Sequence, residues 1–219
     1  MPITYINPDN ENIIGNTMTR SGSPVGMWYV LETDGLFQNQ QEIDNYKTAD
    51  GKVIMPNAVP GDIRFKDVNG DGKLDDKDRT KIGSPWADFT MGLNLNLAYK
   101  QFDLLVNFYS SIGNELVNQN ISDLYNGTSL SNKVSGLDQM AWHGEGTSNY
   151  VPRLSKDDNN ENFSKFSSLY VEDGSFLRLN NITIGYSLPK ASIAKLKMTR
   201  LRFYVTANNL AVITNYTGY

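Results

Sequence analysis

Alternating apolar and polar side chains on both sides of a short turn restrict the fold of this sequence more than any other feature. From Phe89 to Tyr99 every second residue is apolar, and the residues between them are Thr, Gly, Asn or Ala. The alternation resumes after Lys100-Gln101 and continues to Phe108. Successive side chains of a strand point to opposite faces, so this pattern predicts an antiparallel hairpin with one apolar face.

The length of these strands leaves two classes of protein open. Each strand has about ten residues and aromatic residues near its ends, which is the length of a tilted strand that crosses a bilayer. A soluble sandwich has the same alternation. Further strands are predicted at residues 176–188 and 201–209, with a helical turn in residues 189–199 between them. The sequence therefore predicts an all-β, antiparallel fold.

The rest of the chain carries weaker patterns. We expect a strand and an Asp-Gly turn within residues 25–37, a short helix at residues 38–46, and irregular structure in residues 1–24 and 47–61. Residues 113–174 are polar and rich in Asn, Ser, Gly and Asp, with helical patches expected near Asn114–Tyr125. A stretch of this length without a strong pattern is typical of an external, functional loop. Strand pairs with short turns on one side and long loops on the other are typical of outer-membrane barrels.

One stretch of twelve residues, 67–78, has the spacing of an EF-hand-like calcium-binding loop. Oxygen-bearing side chains stand at its positions 1, 3, 5, 9 and 12. Ca²⁺ takes about 6–8 oxygen ligands, and so short a loop supplies them only if the chain turns sharply at position 6, where Gly72 stands. Position 7 contributes its backbone carbonyl. The expected ligands are Asp67, Asn69, Asp71, Lys73, Asp75 and Asp78.

Two further residues bear on this loop. Position 12 holds Asp78 in place of the longer Glu that binds Ca²⁺ through both oxygens, so we expect a tighter loop or a weaker site. Leu74 at position 8 is apolar, and we expect it to anchor the loop to a core. The alternative is a polar turn that binds no ion, because Asn-Gly and Asp-Gly are ordinary turn formers.

Composition argues against several classes of function. The net charge is −4 and Lys and Arg are scattered, so nucleic acid is not an expected partner. Cysteine is absent, which excludes disulfides, zinc-thiolate sites and cysteine nucleophiles. There is a single histidine, His143, and no recognisable acid and base pair of carboxylates, so we do not expect an enzyme. No stretch has the pattern of a transmembrane helix or a signal peptide.

Five groups of residues, in order along nearly the whole chain, match the motifs of one family. They are Gly22-Ser-Pro-Val-Gly26 with Thr33-Asp-Gly-Leu-Phe-Gln38; Pro60-Gly-Asp-Ile-Arg-Phe-Lys-Asp-Val-Asn-Gly-Asp-Gly72 with Asp78-Arg-Thr-Lys-Ile-Gly83; Trp142-His-Gly-Glu-Gly-Thr147 with Val151-Pro-Arg-Leu154; Glu172-Asp-Gly-Ser-Phe-Leu-Arg-Leu-Asn-Asn-Ile182; and Asn208-Asn-Leu210 with Tyr216-Thr-Gly218. In these motifs the chain resembles the SusC/RagA group of TonB-linked outer-membrane proteins.

This resemblance implies a piece from the C-terminal part of a large transmembrane β-barrel. Proteins of this family import glycans or peptides through a many-stranded barrel that contains an N-terminal plug. They draw energy from the TonB complex and pair with a surface lipoprotein of the SusD type. The implied partners are a SusD-like lipoprotein, the TonB complex, a glycan or peptide substrate and lipid, and the implied location is the cell outer membrane.

The implied piece is incomplete. Residues 1–219 include neither a plug nor the final strand of the family, so contact with TonB belongs to the missing N-terminal part and import belongs to the parent protein. If Lys100-Gln101 is a periplasmic turn, the calcium loop and residues 113–174 both lie outside the cell. There a bound Ca²⁺ would stabilise an ordered loop against which the lipoprotein or substrate packs.

Two other interpretations and three aromatic residues complete the sequence-based expectations. One alternative is a soluble β-sandwich that is stabilised by calcium and serves carbohydrate binding or adhesion. A dockerin-like calcium module is less favoured, because it requires two similar loops and the sequence has one. Trp86, Trp142 and Tyr150 are candidates for stacking on sugars or peptides, with local packing as the favoured alternative.

Overall fold

The computed structural model describes residues 11–194 and 197–218, and most of its regular structure is β. In chain order the elements are β1 (Asn12–Ile14), β2 (Thr17–Thr19), β3 (Met27–Leu31), β4 (Thr33–Leu36), α1 (Gln40–Asn45), β5 (Ile63–Phe65), a 3-10 turn (Asp76–Asp78), β6 (Arg79–Gly83), β7 (Phe89–Tyr99), β8 (Phe102–Ile112), β9 (Glu115–Val117), α2 (Asn120–Tyr125), α3 (Leu137–Met140), a second 3-10 turn (Ser168–Tyr170), β10 (Val171–Asp173), β11 (Phe176–Ser187), α4 (Lys190–Ile193) and β12 (Arg202–Thr214).

The chain divides into two compact units. The sheet unit comprises Trp86–Glu115 and Asp173–Tyr216. The loop unit comprises Leu116–Glu172 together with the described residues before Trp86 and after Tyr216. The loop unit is therefore assembled from segments that are far apart in sequence, and the β7–β8 hairpin between them belongs to the sheet unit.

The sheet unit is built on four antiparallel strands in the order β12-β11-β8-β7. β7 and β8 form a regular hairpin that pairs Phe89 with Ile112 at one end and Tyr99 with Phe102 at the other. β11 lies between β8 and β12, and its register shifts between Leu179 and Asn181 with respect to both neighbours. β7 and β12 are the two edges of this sheet.

Alternation along these strands gives the sheet one apolar and one polar face. The apolar face includes cross-strand pairs in which both partners are large and apolar: Leu93 with Phe108, Leu95 with Val106, Leu97 with Leu104, and Ile184 with both Leu104 and Val205. The β7 members of these pairs, Ile184 and Val205 are exposed, and the exposed fraction reaches 60% at Leu97 and 76% at Val205, whereas the β8 members are partly buried. An apolar surface of this extent is unusual on a protein that is surrounded by water.

The loop unit contains the larger hydrophobic core of the chain. It has a sheet of order β1-β2-β3-β6 and a two-stranded sheet of β4 and β5. The core draws on both halves of the unit, since Phe37 and Phe65 from the first half pack in one cluster with Ile121 and Tyr170 from the second. All four side chains are at most 1% exposed.

The elements with the strongest sequence patterns are where the sequence predicts them. β7 spans the predicted residues, β8 and β12 extend three to five residues further than the pattern, and α1 lies within the predicted short helix. β3 lies in the stretch expected to hold a strand, but the expected Asp-Gly turn is wrong, because Asp34 and Gly35 belong to strand β4. α4 is the helical turn expected in the connection between β11 and β12.

The expectation of irregular structure before residue 25 is wrong in part. β1 and β2 form a small hairpin across a turn at Gly15, whose φ is +59°. Residues 1–10 lie outside the described residues. Residues 113–174 also contain more regular structure than their polar composition suggests. Ile121, Leu137 and Tyr170 anchor short elements there by being buried. They are too far apart in sequence to form a periodic pattern. No helix in the described part of the chain is long and apolar enough to cross a membrane.

Candidate functional site

The loop at residues 67–78 is folded around its own carboxylates. Asp67 at position 1 accepts the N–H of Gly70 at 2.7 Å with one oxygen and the N–H of Gly72 at 2.8 Å with the other. Both glycines have φ of +75°, a conformation that is strained for residues with a Cβ. A Cβ on Gly72 would overlap the side chain of Thr48. Gly72 therefore gives the sharp turn that the sequence predicts.

The later positions continue this pattern. Asn69 accepts the N–H of Asp71 at 2.8 Å, Asp71 accepts the N–H of Lys73 at 2.9 Å, and Asp75 accepts the N–H of Lys77 at 2.8 Å. These are turns in which an Asx side chain binds the backbone two residues further on. The Lys73 side chain is exposed.

Asp78 at position 12 closes the loop. Its side chain is fully buried, and it accepts the N–H groups of Val68 at 3.0 Å, Asn69 at 3.3 Å and Asp75 at 3.0 Å. One carboxylate thus ties the first residues of the loop to the last. Leu74 packs against the main core of the loop unit, as the sequence predicts.

The donor types in this loop fit Ca²⁺, because every expected ligand atom is an oxygen and the backbone makes the required turn. The side chains, however, accept hydrogen bonds from backbone N–H groups of the loop. Within residues 11–194 and 197–218, no group of three or more His, Cys, Asp or Glu side chains is arranged to hold a metal ion. The geometry combines an ion-loop backbone with carboxylates that are turned to N–H groups.

Several of the sequence motifs meet at Trp142 in the loop unit. The indole N–H of Trp142 donates to Oε1 of Gln38 at 3.1 Å, and the same oxygen accepts the N–H of Gly146 at 2.9 Å. Gly61 lies against the indole ring with φ of +90°, and a Cβ there would overlap the ring. Trp142 packs against the main core, so its contacts match local packing rather than an exposed stacking surface.

A buried carboxylate lies beside this tryptophan. Asp62 is fully buried, and its Oδ1 accepts Nε of Arg153 at 2.7 Å and Nδ2 of Asn162 at 3.0 Å. Its Oδ2 accepts the N–H of Val59 at 3.0 Å. Asn162 also accepts the N–H of Ile63 at 2.8 Å. A buried charge that water cannot solvate needs hydrogen-bonding partners. This network therefore holds together residues that are far apart in the sequence.

The other two aromatic candidates lie in different surroundings. Trp86 belongs to the sheet unit and is 57% exposed. Tyr150 is 48% exposed and meets Tyr125 edge to face at 6.4 Å between ring centroids. Partial burial, with the nearby charge of Glu172 and the Tyr125 ring, raises the pKa of Tyr150 to about 12. This phenol stays protonated at every physiological pH.

Aromatic side chains cross the sheet at the end that carries the Lys100-Gln101 turn. Register places the four residues of this row side by side on the apolar face, one on each strand: Tyr99, Phe102, Tyr186 and Phe203. The rings of Phe102 and Tyr186 are 4.8 Å apart between centroids. Three of the four are more than half exposed.

The polar face of the same sheet carries a row of amides. Register places Asn94, Asn107, Asn181 and Asn208 side by side across all four strands. Hydrogen bonds join Asn107 to Asn94, and Asn181 to Asn208 at 2.7 Å. Nearer the turn, Arg202 donates from Nε to Asp103 at 3.0 Å across Gly185, where a Cβ would overlap both side chains. The two faces of the sheet thus differ sharply in chemistry.

Curated relatives and solved structures match between 76% and 99% of the chain. TonB-dependent receptor P3 of Formosa agariphila is 34% identical over 199 residues, which is 91% of this chain and 19% of that protein. The chain belongs to the TonB-dependent receptors of the SusC/RagA type. TonB-dependent receptor SusC of Bacteroides thetaiotaomicron is 28% identical over 176 residues, 76% of this chain and 16% of the relative. No family model matches.

Solved structures agree with this assignment in fold. The RagAB peptide importer in its open-open state superposes with a TM-score of 0.72 at 24% identity, over 99% of this chain and 22% of that one. A second structure of the RagAB peptide transporter gives 0.67 over 97% of this chain. The chain spans about a fifth of the length of the SusC/RagA-type receptors it matches.

Sequence reasoning found the 67–78 loop and missed the Asp62 network. Asp62 and Arg153 lie in two of the motifs, but the sequence separates them by 91 positions and gives no sign that they pair. The amide row was missed for another reason. A strand pattern identifies Asn94 and Asn107 as polar-face residues, whereas their alignment depends on the register of all four strands.

Proposed function

We propose that this chain is a membrane-spanning and surface-exposed part of a TonB-dependent outer-membrane importer. The observation that carries the proposal is the aromatic row at one end of an exposed apolar face. Its strands have 11, 11, 12 and 13 residues, and a tilted strand needs about 9–11 to cross the hydrocarbon layer. Tyr and other aromatic residues concentrate where lipid headgroups meet hydrocarbon.

The polar face supports the same proposal. In a transmembrane barrel, residues that face the lumen alternate with residues that face lipid, and the lumen is polar. The amide row and the Asp103–Arg202 pair supply such a surface. The edges β7 and β12 then pair with further strands of the parent protein, because an unpaired backbone group in lipid costs several kcal/mol, on the order of 2–7.

We further propose that the parent protein takes up oligosaccharides or peptides together with a SusD-like surface lipoprotein. Support comes from the relatives, one named SusC and one structure named a RagAB peptide importer. The Lys100-Gln101 turn then faces the periplasm, and the loop unit and Tyr150 lie on the outer surface, where a partner and a substrate arrive.

A growth and co-purification experiment tests this function. The gene of the full-length protein is deleted from its host, and growth is measured on oligosaccharides, oligopeptides and free monomers as sole nutrients. We expect growth to fail on one oligomer class and to persist on monomers. A tagged full-length protein extracted in detergent is expected to bring down a lipoprotein encoded beside it. Normal growth on every oligomer would contradict the proposal.

We also propose that the 67–78 loop of the parent protein binds one Ca²⁺. The side chains of Asp67, Asn69, Asp71, Asp75 and Asp78 and the Lys73 carbonyl would hold it. Support comes from the all-oxygen donor set and the glycine turn. Bound at the cell surface, the ion would stabilise the ordered loop by mass action.

Thermal unfolding of the full-length protein tests the calcium site. We expect added Ca²⁺ to raise the melting temperature of the native protein after EDTA treatment, and Asp67→Ala with Asp71→Ala to abolish that rise. Asp50→Ala, which changes a carboxylate outside the loop, is the control and is expected to keep the full response. An equal rise in the double variant would show that the ion binds elsewhere.

A further inference from the structure

The chain contains two Asn-Gly steps, Asn69-Gly70 and Asn126-Gly127, and their surroundings differ. An Asn-Gly step is where a backbone can modify itself, since glycine has no Cβ to keep its nitrogen from the Asn side chain. The nitrogen of the glycine attacks Cγ of the asparagine and expels ammonia, which leaves a five-membered succinimide. Water then opens the ring to aspartate or isoaspartate.

At Asn126 the carbonyl that would be attacked is polarised. Its Oδ1 accepts the N–H of Thr128 at 2.9 Å and the hydroxyl of Thr128 at 2.8 Å. Two donors on one oxygen draw electron density from Cγ and make it a better electrophile. They also stabilise the negative charge that develops on this oxygen as the nitrogen adds.

The attacking nitrogen at this step is free. Among the described residues, the N–H of Gly127 donates to no protein acceptor. Gly127 is exposed, so water and hydroxide reach it and can remove its proton. Asn126 follows the last residue of α2, where the regular backbone bonding of the helix ends.

At Asn69 the same groups are restrained. The N–H of Gly70 donates to Oδ1 of Asp67 at 2.7 Å, and Nδ2 of Asn69 donates to Oδ2 of Asp71 at 3.3 Å. The nucleophile and the leaving group are therefore both held by carboxylates. The side-chain oxygen Oδ1 of Asn69 accepts one hydrogen bond, from the N–H of Asp71. Oδ1 of Asn126 accepts two.

We propose that Asn126 is a site of spontaneous deamidation, and that the fold makes it the faster of the two Asn-Gly steps. The product places a new carboxylate, or an extra backbone methylene in the case of isoaspartate, at the base of the 127–136 loop. Among the described residues, the hydrogen bonds that tie this loop back to α2 come from Ser131 and Lys133, which bind Asp123, and from Val134, which donates to Leu124 at 3.4 Å. A charge at position 126 therefore changes a lightly held surface loop.

Peptide mapping by mass spectrometry tests the inference on the detergent-solubilised full-length protein. The protein is incubated at neutral pH with EDTA, so that no bound metal protects Asn69, and each Asn-Gly peptide is followed for exchange of its side-chain NH₂ for OH. We expect Asn126 to convert several times faster than Asn69 in the native protein. In concentrated urea, where only local sequence remains, the two rates are expected to converge.

Two variants separate the fold from the sequence. Thr128→Val removes the hydroxyl donor and is expected to slow conversion at Asn126, whereas Thr128→Ser keeps the hydroxyl and the native rate. Asn126→Gln is expected to remove the signal. Equal rates at the two sites in the native protein, or a native rate in Thr128→Val, would overturn the inference.

Discussion

Asp62 is a buried carboxylate that is held by three hydrogen-bond donors. It is fully buried and takes part in hydrogen bonds from Arg153, Asn162 and Val59, so each partner depends on its negative charge. Removing one partner from a buried ion pair is far more costly than removing both, since the remaining charge then lacks compensation.

We therefore expect Arg153→Met to destabilise the loop unit by about 3–5 kcal/mol. Hydrogen exchange in the full-length protein provides the measurement, with the amide of Phe65, a fully buried strand residue, as the probe. Arg20→Met breaks the exposed pair with Glu11 at 3.1 Å and serves as the control, with protection of Phe65 expected to remain native. Unchanged protection in Arg153→Met would show that the pair contributes nothing.

Tyr150 gives a pH dependence with a defined sign. Its folded-state pKa is raised to about 12 from 10.0, mainly by burial, so the folded protein holds this proton more tightly than the unfolded chain does. The resulting stability is fully present below pH 10 and is lost as pH rises toward 12.

Thermal melts of the full-length protein between neutral and strongly alkaline pH check this dependence. We expect Tyr150→Phe, which cannot ionise, to melt with a shallower decline across the window where Tyr150 titrates. Leu154→Ala, which changes a similarly exposed side chain of the loop unit that does not ionise, is the control and should keep the native slope. A native slope in Tyr150→Phe would mean that this phenol is not linked to folding.

At the scale of the elements, neighbouring positions of the β7–β8 hairpin face different surroundings and are expected to tolerate a charge differently. Leu95 lies on the apolar face and Asn96 on the polar face of the same strand. We expect Leu95→Arg to cost about 2–4 kcal/mol of folding stability in a bilayer, because the charge would face lipid. Asn96→Arg is expected to cost far less.

Folding of the full-length protein into lipid vesicles checks this pair of variants. The folded fraction is read from the shift in electrophoretic mobility between heated and unheated samples, across a urea series. Equal loss in both variants would show that the two faces do not differ in their exposure to lipid, and the transmembrane assignment of the sheet would fail with it.

Elements were predictable from sequence where one residue type repeats at a strand period. β7 alternates over all 11 of its residues, and β8, β11 and β12 alternate over part of their length, so their identity as strands needs no tertiary information. β1, β2, β5 and β6 have three to five residues each, too few for a period to be recognised. Their pairing depends on partners such as β3, which lies far along the chain from β6.

The candidate site also has features that the sequence predicts and features that it does not. The 67–78 loop was identifiable because all its oxygen-bearing residues lie within twelve consecutive positions. That its carboxylates bind backbone N–H groups depends on rotamers, which spacing does not determine. Local packing of Trp142 is the favoured expectation from sequence on general grounds, but its hydrogen-bond partner Gln38 is 104 positions away, and no pattern connects the two.

For the whole molecule, the exposed apolar face decides the environment in which the chain is stable. We expect residues 1–219 expressed alone to aggregate in water and to require detergent, because Leu97, Phe203 and Val205 are each at least 60% exposed. Size-exclusion chromatography with and without detergent provides the measurement. A stable monomer in plain buffer would favour a water-soluble sandwich instead.

The loop unit takes residues from both sides of the β7–β8 hairpin, and this arrangement sets an order of events during synthesis. Phe37 and Phe65 leave the ribosome long before Tyr170, with which they share a core. Until then the first half has an incomplete interior, and closure must span a long stretch of chain, which slows folding. We therefore expect the early half of a growing chain to leave apolar side chains such as Phe37 and Phe65 without their core partners until the late half arrives.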